Sequence, residues 1–387
     1  MAQPQTSTDI VGSLVFLGAA ALAVVVANTA LADGYAEVLK FNLTIGFEPY
    51  AITDAVKDWI KNALMAVFFL LVGLEIKAEF KEGALAERQR AILPFAAAFG
   101  GMAFPALIYL GLAGGNSEHA AGWAIPCATD IAFAVGVVGL LGTRIPPGLK
   151  AFLLAVAVID DLGAIMVIAF FYSGALSLAA LGIAAATCAA MLALNLRNVS
   201  SPWPYLVLGL VLWVALYHSG INPTLGGVVT ALFIPLKTAD RSRSPLHEMA
   251  GALKLPVTFF IMPLFALANA GVPLGGLGLS DLLHPVTNGI ALGLLIGKPV
   301  GIALCTFAVV APSFARLPDG VGWTHVIGVG FIAGIGFTMS LFVGALAFDG
   351  AGLLNEVRLG VLSGSLLAGL IGAAILMAAK PLTPRTV

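Results

Sequence analysis

The stretch AVAVIDDLGAIMVIAFF, Ala155–Phe171, places two adjacent aspartates, Asp160 and Asp161, in a run that is otherwise apolar. The apolar run reaches back to Ala151, so the pair falls near the middle of a segment long enough, as a helix, to cross a hydrocarbon core of about 30 Å. A charge at that depth costs at least about 2.5–3.5 kcal/mol, and side chains that costly are usually functional. Adjacent helix residues point about 100° apart, so one carboxylate can face a water-filled cavity while the other meets a partner. Two carboxylates this close resist double ionisation and titrate as a coupled unit. A pair that holds either protons or a metal cation is an exchange site. The competing reading is a pair exposed in a loop, but no proline or polar cluster marks one, and Gly163 stands alone.

Working outward, the 387 residues are 60% hydrophobic and only 10% charged. Soluble domains carry about 25% charged residues, so this chain could not cover a soluble surface. Apolar runs of helical span length recur, and the alternating ten-residue segments of a lipid-spanning barrel do not. The expected fold class is therefore an all-α polytopic membrane protein, read as one transporter domain over residues 1–387. A net charge of −1 points to no nucleic-acid partner. Cys127, Cys188 and Cys305 all lie in apolar runs and read as small buried residues rather than disulfides or ligands. Ala30-Leu31-Ala32 resembles a signal-cleavage site. The preceding segment lacks Lys and Arg and its apolar run is long, so the expectation is a retained first helix.

Twelve spans are expected, at roughly 11–30, 59–80, 92–113, 120–141, 149–172, 175–196, 203–218, 221–236, 255–272, 288–311, 324–348 and 356–379. Between the first two, Phe41, Leu43, Ile45 and Phe47 alternate with polar residues, which fits a short extracytoplasmic hairpin near residues 41–51 or an irregular loop. With the N-terminus in the cytoplasm, 14 of the 19 Lys and Arg residues fall inside. Lys40, Lys57, Lys61 and Arg358 fall outside, and Lys298 is left within the tenth span. That asymmetry places both termini in the cytoplasm.

Three further stretches carry chemistry. In AIPCATDIAF, Asp130 follows Thr129 and stands four residues after Pro126. The flanking apolar pieces are each about half a span, which reads as a helix broken at mid-membrane, its freed carbonyls and the threonine hydroxyl able to coordinate a hard cation. A continuous, proline-kinked helix is the alternative. In IGVGFIAGIGFTMS, the glycines suit close helix packing, but Gly334 and Gly336, followed by Thr338 and Ser340, also suit a second break. The two interrupted spans are fourth and eleventh, at the centres of two corresponding groups of three. This pattern points to an inverted-repeat transporter with its site at the midplane, where the two discontinuous helices cross. In LLIGKPVGIAL, Lys298 needs a carboxylate, for which Asp160 or Asp161 is the natural partner, or must snorkel to the interface.

ALMAVFFLLVGLEIK, GWAIPCATDIAFAVG, AVIDDLGAI, MPLFALANAG, LLIGKPVGI and GIGFTMS together resemble the NhaA-type bacterial sodium/proton antiporters, in order and over nearly the whole chain. The resemblance implies twelve helices with the fourth and eleventh unwound where they cross. It also implies electrogenic exchange of more protons than sodium, transport of lithium as well, a homodimer aided by a hairpin, and a multi-pass protein of the bacterial inner membrane serving pH homeostasis and salt tolerance. It assigns Asp161 as the main cation and proton carrier. Asp160 would exchange between a proton and a salt bridge to Lys298. Thr129 and Asp130 would lie at the crossing, Asp130 offsetting positive half-helix ends. Sodium, lithium and protons are cargo, and no cofactor is implied.

The resemblance also implies a pH-responsive region, matched in part by Glu75, Lys77 and Glu79. Ala78 stands where an arginine is usual, and Gly251 and Lys254 stand at the histidine places of the ninth helix, with His247 and Glu248 upstream. A shifted or flatter pH profile is expected. Binding would work by competition: protonated carboxylates release the cation, and ionised ones bind it with Thr129 and backbone carbonyls, driving alternating access. Two rivals remain. One is a sodium-coupled organic-anion symporter, for which Lys298 alone is thin support. The other is an intramembrane aspartyl protease using Asp130 and Asp161, which lacks the usual Gly-x-Gly-Asp pattern and leaves Asp160 and Lys298 without a role. A passive sodium channel is disfavoured because a lysine at the site would repel the ion. The protein is not expected to be an enzyme.

Overall fold

The computed structural model describes residues 7–46, 51–172, 174, 176–238, 243–273, 275, 281, 283–348 and 350–379. Seven helices among them are long and apolar enough to cross a membrane: Ile10–Ala27, Gln89–Ala113, Pro147–Phe171, Leu178–Leu196, Pro245–Asn269, Pro285–Val310 and Gly352–Ala378. Two helix pairs qualify only when joined across a break, which brings the count to nine. Ser117–Cys127 with Ile131–Leu140 bends by 41°, and Trp323–Ala333 with Phe337–Ala347 bends by 46°. Many of these helices turn apolar side chains outward: Leu178 is 84% exposed and Phe170 73%. A soluble helix does the reverse, so these faces are built for lipid.

Of the remaining apolar segments, Trp203–Ser219 has 17 residues; Met65–Glu82 winds on from Val56 through the turn Ile60–Leu64 and differs from the others by the charges of its last two turns, Glu75 to Glu82. Where the sequence suggests a span over 221–236, the helix covers only Leu225–Phe233. Nine residues rise about 13 Å, short of the ~30 Å core. The start is delayed because Asn222 Oδ1 accepts from the Thr224 amide at 3.0 Å and its hydroxyl at 2.6 Å, a local turn that competes with helix.

Chain contacts divide the protein into two compact units. The first comprises Met1–Val15, Glu82–Ala164 and Val272–Val387; the second comprises Phe16–Lys81 and Ile165–Gly271. Within the second, strands Asn42–Ile45 and Ile52–Ala55 pair antiparallel, with Asn42 opposite Ala55 and Ile45 opposite Ile52. Phe47, the last residue of the alternating pattern, lies outside the described residues. Trp59 stacks on Trp213, and both pack with Ile52 and Ala66.

The first unit is drawn together by small residues. Helix Arg88–Ala113 meets helix Lys298–Val310 at Gly100 and Gly301. A Cβ on either would come 2.1 Å from the other's carbonyl oxygen, so only glycine permits this approach. Helix Pro285–Val310 also contains a widened turn, Gly293–Gly297, wound i→i+5. Pro299 explains it. A proline ring clashes with the carbonyl four residues back, here Leu295, and the widened turn gives that carbonyl room.

Candidate functional site

Both breaks lie in the first unit and meet through the backbone: the Asp130 amide donates to the Ile335 carbonyl at 2.7 Å. The first break falls at Ala128–Asp130, where the chain is extended, rather than at Pro126 itself. Pro126 sits inside the preceding tightly wound segment Ala121–Cys127. In the second bent pair the helix ends at Ala333 and resumes at Phe337, with Gly334 and Gly336 between. A Cβ on Gly334 would lie 2.4 Å from the Leu294 carbonyl oxygen, so this glycine serves close packing as well as the break.

Each break exposes helix ends that require partners. Asp130 caps two of them at once. Its Oδ1 accepts from the Phe133 amide at 3.0 Å, and its Oδ2 accepts from the Thr338 amide at 3.1 Å and the Thr338 hydroxyl at 2.5 Å. One buried carboxylate thus faces the positive ends of Ile131–Leu140 and Phe337–Ala347. Ser365 Oγ accepts from the Gly336 and Phe337 amides at 3.2 and 3.3 Å. The carbonyl ends are met by donors: Thr129 Oγ1 to Ala333 at 3.0 Å, Ser340 Oγ to Ile125 at 2.7 Å, and the Lys298 ammonium to Cys127.

Helix Pro147–Phe171 brings Asp160 to this junction. Asp160 Oδ2 lies 3.1 Å from Lys298 Nζ and 2.7 Å from Thr129 Oγ1, whose single hydroxyl proton it shares with the Ala333 carbonyl. Asp160 and Lys298 are both 0% exposed. Lys298 therefore does not snorkel. The other oxygen, Asp160 Oδ1, is buried and has no hydrogen-bond partner. Buried polar atoms are nearly always satisfied, so this oxygen could take a cation or a proton. Asp161 is 1% exposed beside it on the same helix.

The structure thus gathers Thr129, Asp130, Asp160 and Lys298 into one buried cluster, with Pro126, Gly334 and Gly336 shaping the two breaks. Glu75, Lys77 and Glu79 belong to the second unit. There Lys77 Nζ donates to the Leu232 and Ile234 carbonyls, both at 2.6 Å, closing the end of the short helix Leu225–Phe233. Sequence reasoning missed Ser365 and did not give Thr338 its place on Asp130. The available signal for Ser365 was one of two hydroxyls, with Ser363, in the interior of the last span.

A family model described as Na+/H+ antiporter 1 matches residues 4–376. The chain belongs to the Na+/H+ antiporter 1 family. It is 50% identical over 377 residues to the Na(+)/H(+) antiporter NhaA of Rhodospirillum rubrum, covering 95% of this chain and 94% of that one. It is 48% identical over 378 residues to the NhaA of Mesorhizobium japonicum, covering 96% and 93%. The NhaA of Shewanella loihica is 46% identical over 368 residues, covering 95% and 94%. Members of this family are transporters rather than enzymes, and neither the symporter nor the protease reading finds support in it. The geometry agrees on the protease, since both Asp130 oxygens are engaged by helix N-termini rather than turned to a water.

Proposed function

We propose that the protein is an electrogenic sodium/proton antiporter that extrudes sodium, and also lithium, in exchange for a larger number of protons. Membership of the family supports the activity. The observation that carries the site is Asp160 Oδ1, a buried carboxylate oxygen left unbonded beside a lysine and a threonine. Asp161 is the main carrier of cation and proton. Asp160 exchanges its salt bridge with Lys298 for a proton as the cation comes and goes. Thr129 and freed carbonyls at the breaks complete the coordination of a hard cation. Asp130 holds the positive helix ends in place and lowers the cost of leaving them at membrane depth.

Alternation between states open to each side follows from competition. Protons and sodium require the same oxygens, so neither binds in full with the other. The fold reading is twelve crossings in an inverted-repeat arrangement over one transporter domain, supported by the two bent pairs at corresponding positions in the chain. Both termini lie in the cytoplasm of a bacterial inner membrane, supported by the distribution of Lys and Arg. The protein works as a homodimer in pH homeostasis and salt tolerance, with the strand pair of residues 42–55 suited to an intersubunit contact. Glu75, Lys77 and Glu79 form the candidate pH-response segment, with a flatter profile than is usual because the ninth-helix histidines are replaced.

The test uses everted membrane vesicles with a preset proton gradient read by a pH-sensitive dye. Added sodium should collapse the gradient in the wild type and not in Asp161→Asn. No response in either at any pH from about 6.5 to 9, a window spanning ordinary histidine and thiol titration, would reject the activity. An equal response in both would reject the site.

A further inference from the structure

Fourteen residues before Lys298 on the same continuous helix, about 20 Å away at 1.5 Å per residue, stands a titratable cluster that the exchange site does not use. His284 caps the helix N-terminus: its Nδ1 accepts the Val286 amide at 3.3 Å. An accepting Nδ1 belongs to a neutral imidazole whose proton is on Nε2. Glu356 Oε2 lies 3.9 Å from the same Nδ1 and accepts the Thr287 hydroxyl. The His119 ring packs on His284 with centroids 5.2 Å apart, and the His119 carbonyl accepts the Tyr109 hydroxyl. The side chains of His284 and Glu356 are 29% and 15% exposed, so water reaches both.

Nδ1 cannot accept from Val286 and carry a proton at once. His284 therefore has two states: a neutral cap, or an imidazolium whose Nδ1–H turns to Glu356. The second state leaves the helix start uncapped and puts a cation at its positive end, which is unfavourable without the Glu356 carboxylate. The remaining ionisable groups on the surrounding elements are Glu118 beside His119, Asp281, whose carbonyl accepts the His284 amide, and Arg358, which donates to Asn355.

The geometry points to His284 as an outer proton switch, in which protonation trades its cap on helix Pro285–Leu292 for an ion pair with Glu356 and slows exchange when the outside turns acidic. His119 and His284 lie in the linkers after the third and ninth expected spans and Glu356 opens the twelfth, so the outer placement rests on the topology proposed above. The loosened first turn leads through the widened turn Gly293–Gly297 to Lys298, which links the switch to the buried pair. An exchanger that draws protons inward would thereby be throttled when outer protons are abundant.

The test compares sodium efflux from right-side-out vesicles, inner pH clamped, for wild type and His284→Asn. Asparagine is a strong helix cap and does not titrate. The ratio of wild-type to variant rate should fall from about 1 at outer pH near 7.5 to about one third near 5.5. A flat ratio overturns the switch, and a ratio that follows inner rather than outer pH overturns its outer placement. Glu356→Gln provides a second reading. It keeps an acceptor for Thr287 but withdraws the anion, so the fall in rate should move to lower outer pH, and an unchanged midpoint overturns the proposal.

Discussion

Lys298 Nζ lies 3.1 Å from Asp160 Oδ2, with both side chains fully buried. Removing one partner leaves the other charge uncompensated at membrane depth, at a cost of about 3–5 kcal/mol. Lys298→Met and Asp160→Asn should each lower the melting temperature of the detergent-purified protein. The double variant Asp160→Asn, Lys298→Met should recover most of the loss. Additive losses in that cycle would show that the two residues do not act as a pair.

Competition for one set of oxygens predicts a specific kinetic pattern. As pH falls, the apparent KM for sodium should rise by up to about tenfold per unit for each proton displaced. The rate at saturating sodium should change much less. A rate that falls with pH at constant KM would indicate separate sites for protons and sodium.

Asp130 separates a charge effect from a capping effect. Asp130→Asn keeps one oxygen, enough to accept from Phe133 or from Thr338 but not both, so the protein should fold with one cap and transport slowly. Asp130→Ala leaves both helix starts open, at about 0.5–2 kcal/mol for each lost cap. Its melting temperature should fall below that of the asparagine variant. Equal melting temperatures would deny the double cap.

Ser365 makes a milder case of the same kind. Ser365→Ala withdraws the acceptor for the Gly336 and Phe337 amides and should cost about 0.5–2 kcal/mol. The hydroxyl has no contact with Asp160, so the sodium KM should hold while stability drops.

Gly334→Ala and Gly18→Ala form a contrasted pair. A Cβ at Gly334 meets the Leu294 carbonyl at 2.4 Å, whereas nothing lies within 4 Å of one at Gly18. Membrane yield and thermal stability should collapse in the first and hold in the second. Equal behaviour would mean that the helix carrying Leu294 can retreat.

Much of the site was legible because charge in hydrocarbon is costly. That cost alone singles out Asp130, Asp160, Asp161 and Lys298 and requires the lysine to find a carboxylate. It does not say which aspartate the lysine meets. Adjacent residues point about 100° apart, and only the placement of helix Pro285–Val310 against the junction selects Asp160. Hydropathy also overstates helix length, since it does not register the turn that Asn222 and Thr224 make before Leu225. Proline marks the neighbourhood of the first break but not its residue, because Pro126 sits inside the tight winding of Ala121–Cys127 and the break falls at Ala128–Asp130. Ser365 remained hidden because serine is common at helix contacts and its partners are backbone amides far away in sequence.

The widened turn Gly293–Gly297 holds one surplus residue relative to regular winding. Deleting one residue there restores regular winding and keeps Lys298 on the face that meets Asp160, at the cost of crowding Pro299 against the preceding turn. A second surplus residue has no such turn to absorb it and would swing Lys298 about 100° around the helix axis, away from Asp160. The spacing from His284 to Lys298 therefore tolerates shortening by one residue better than lengthening by one.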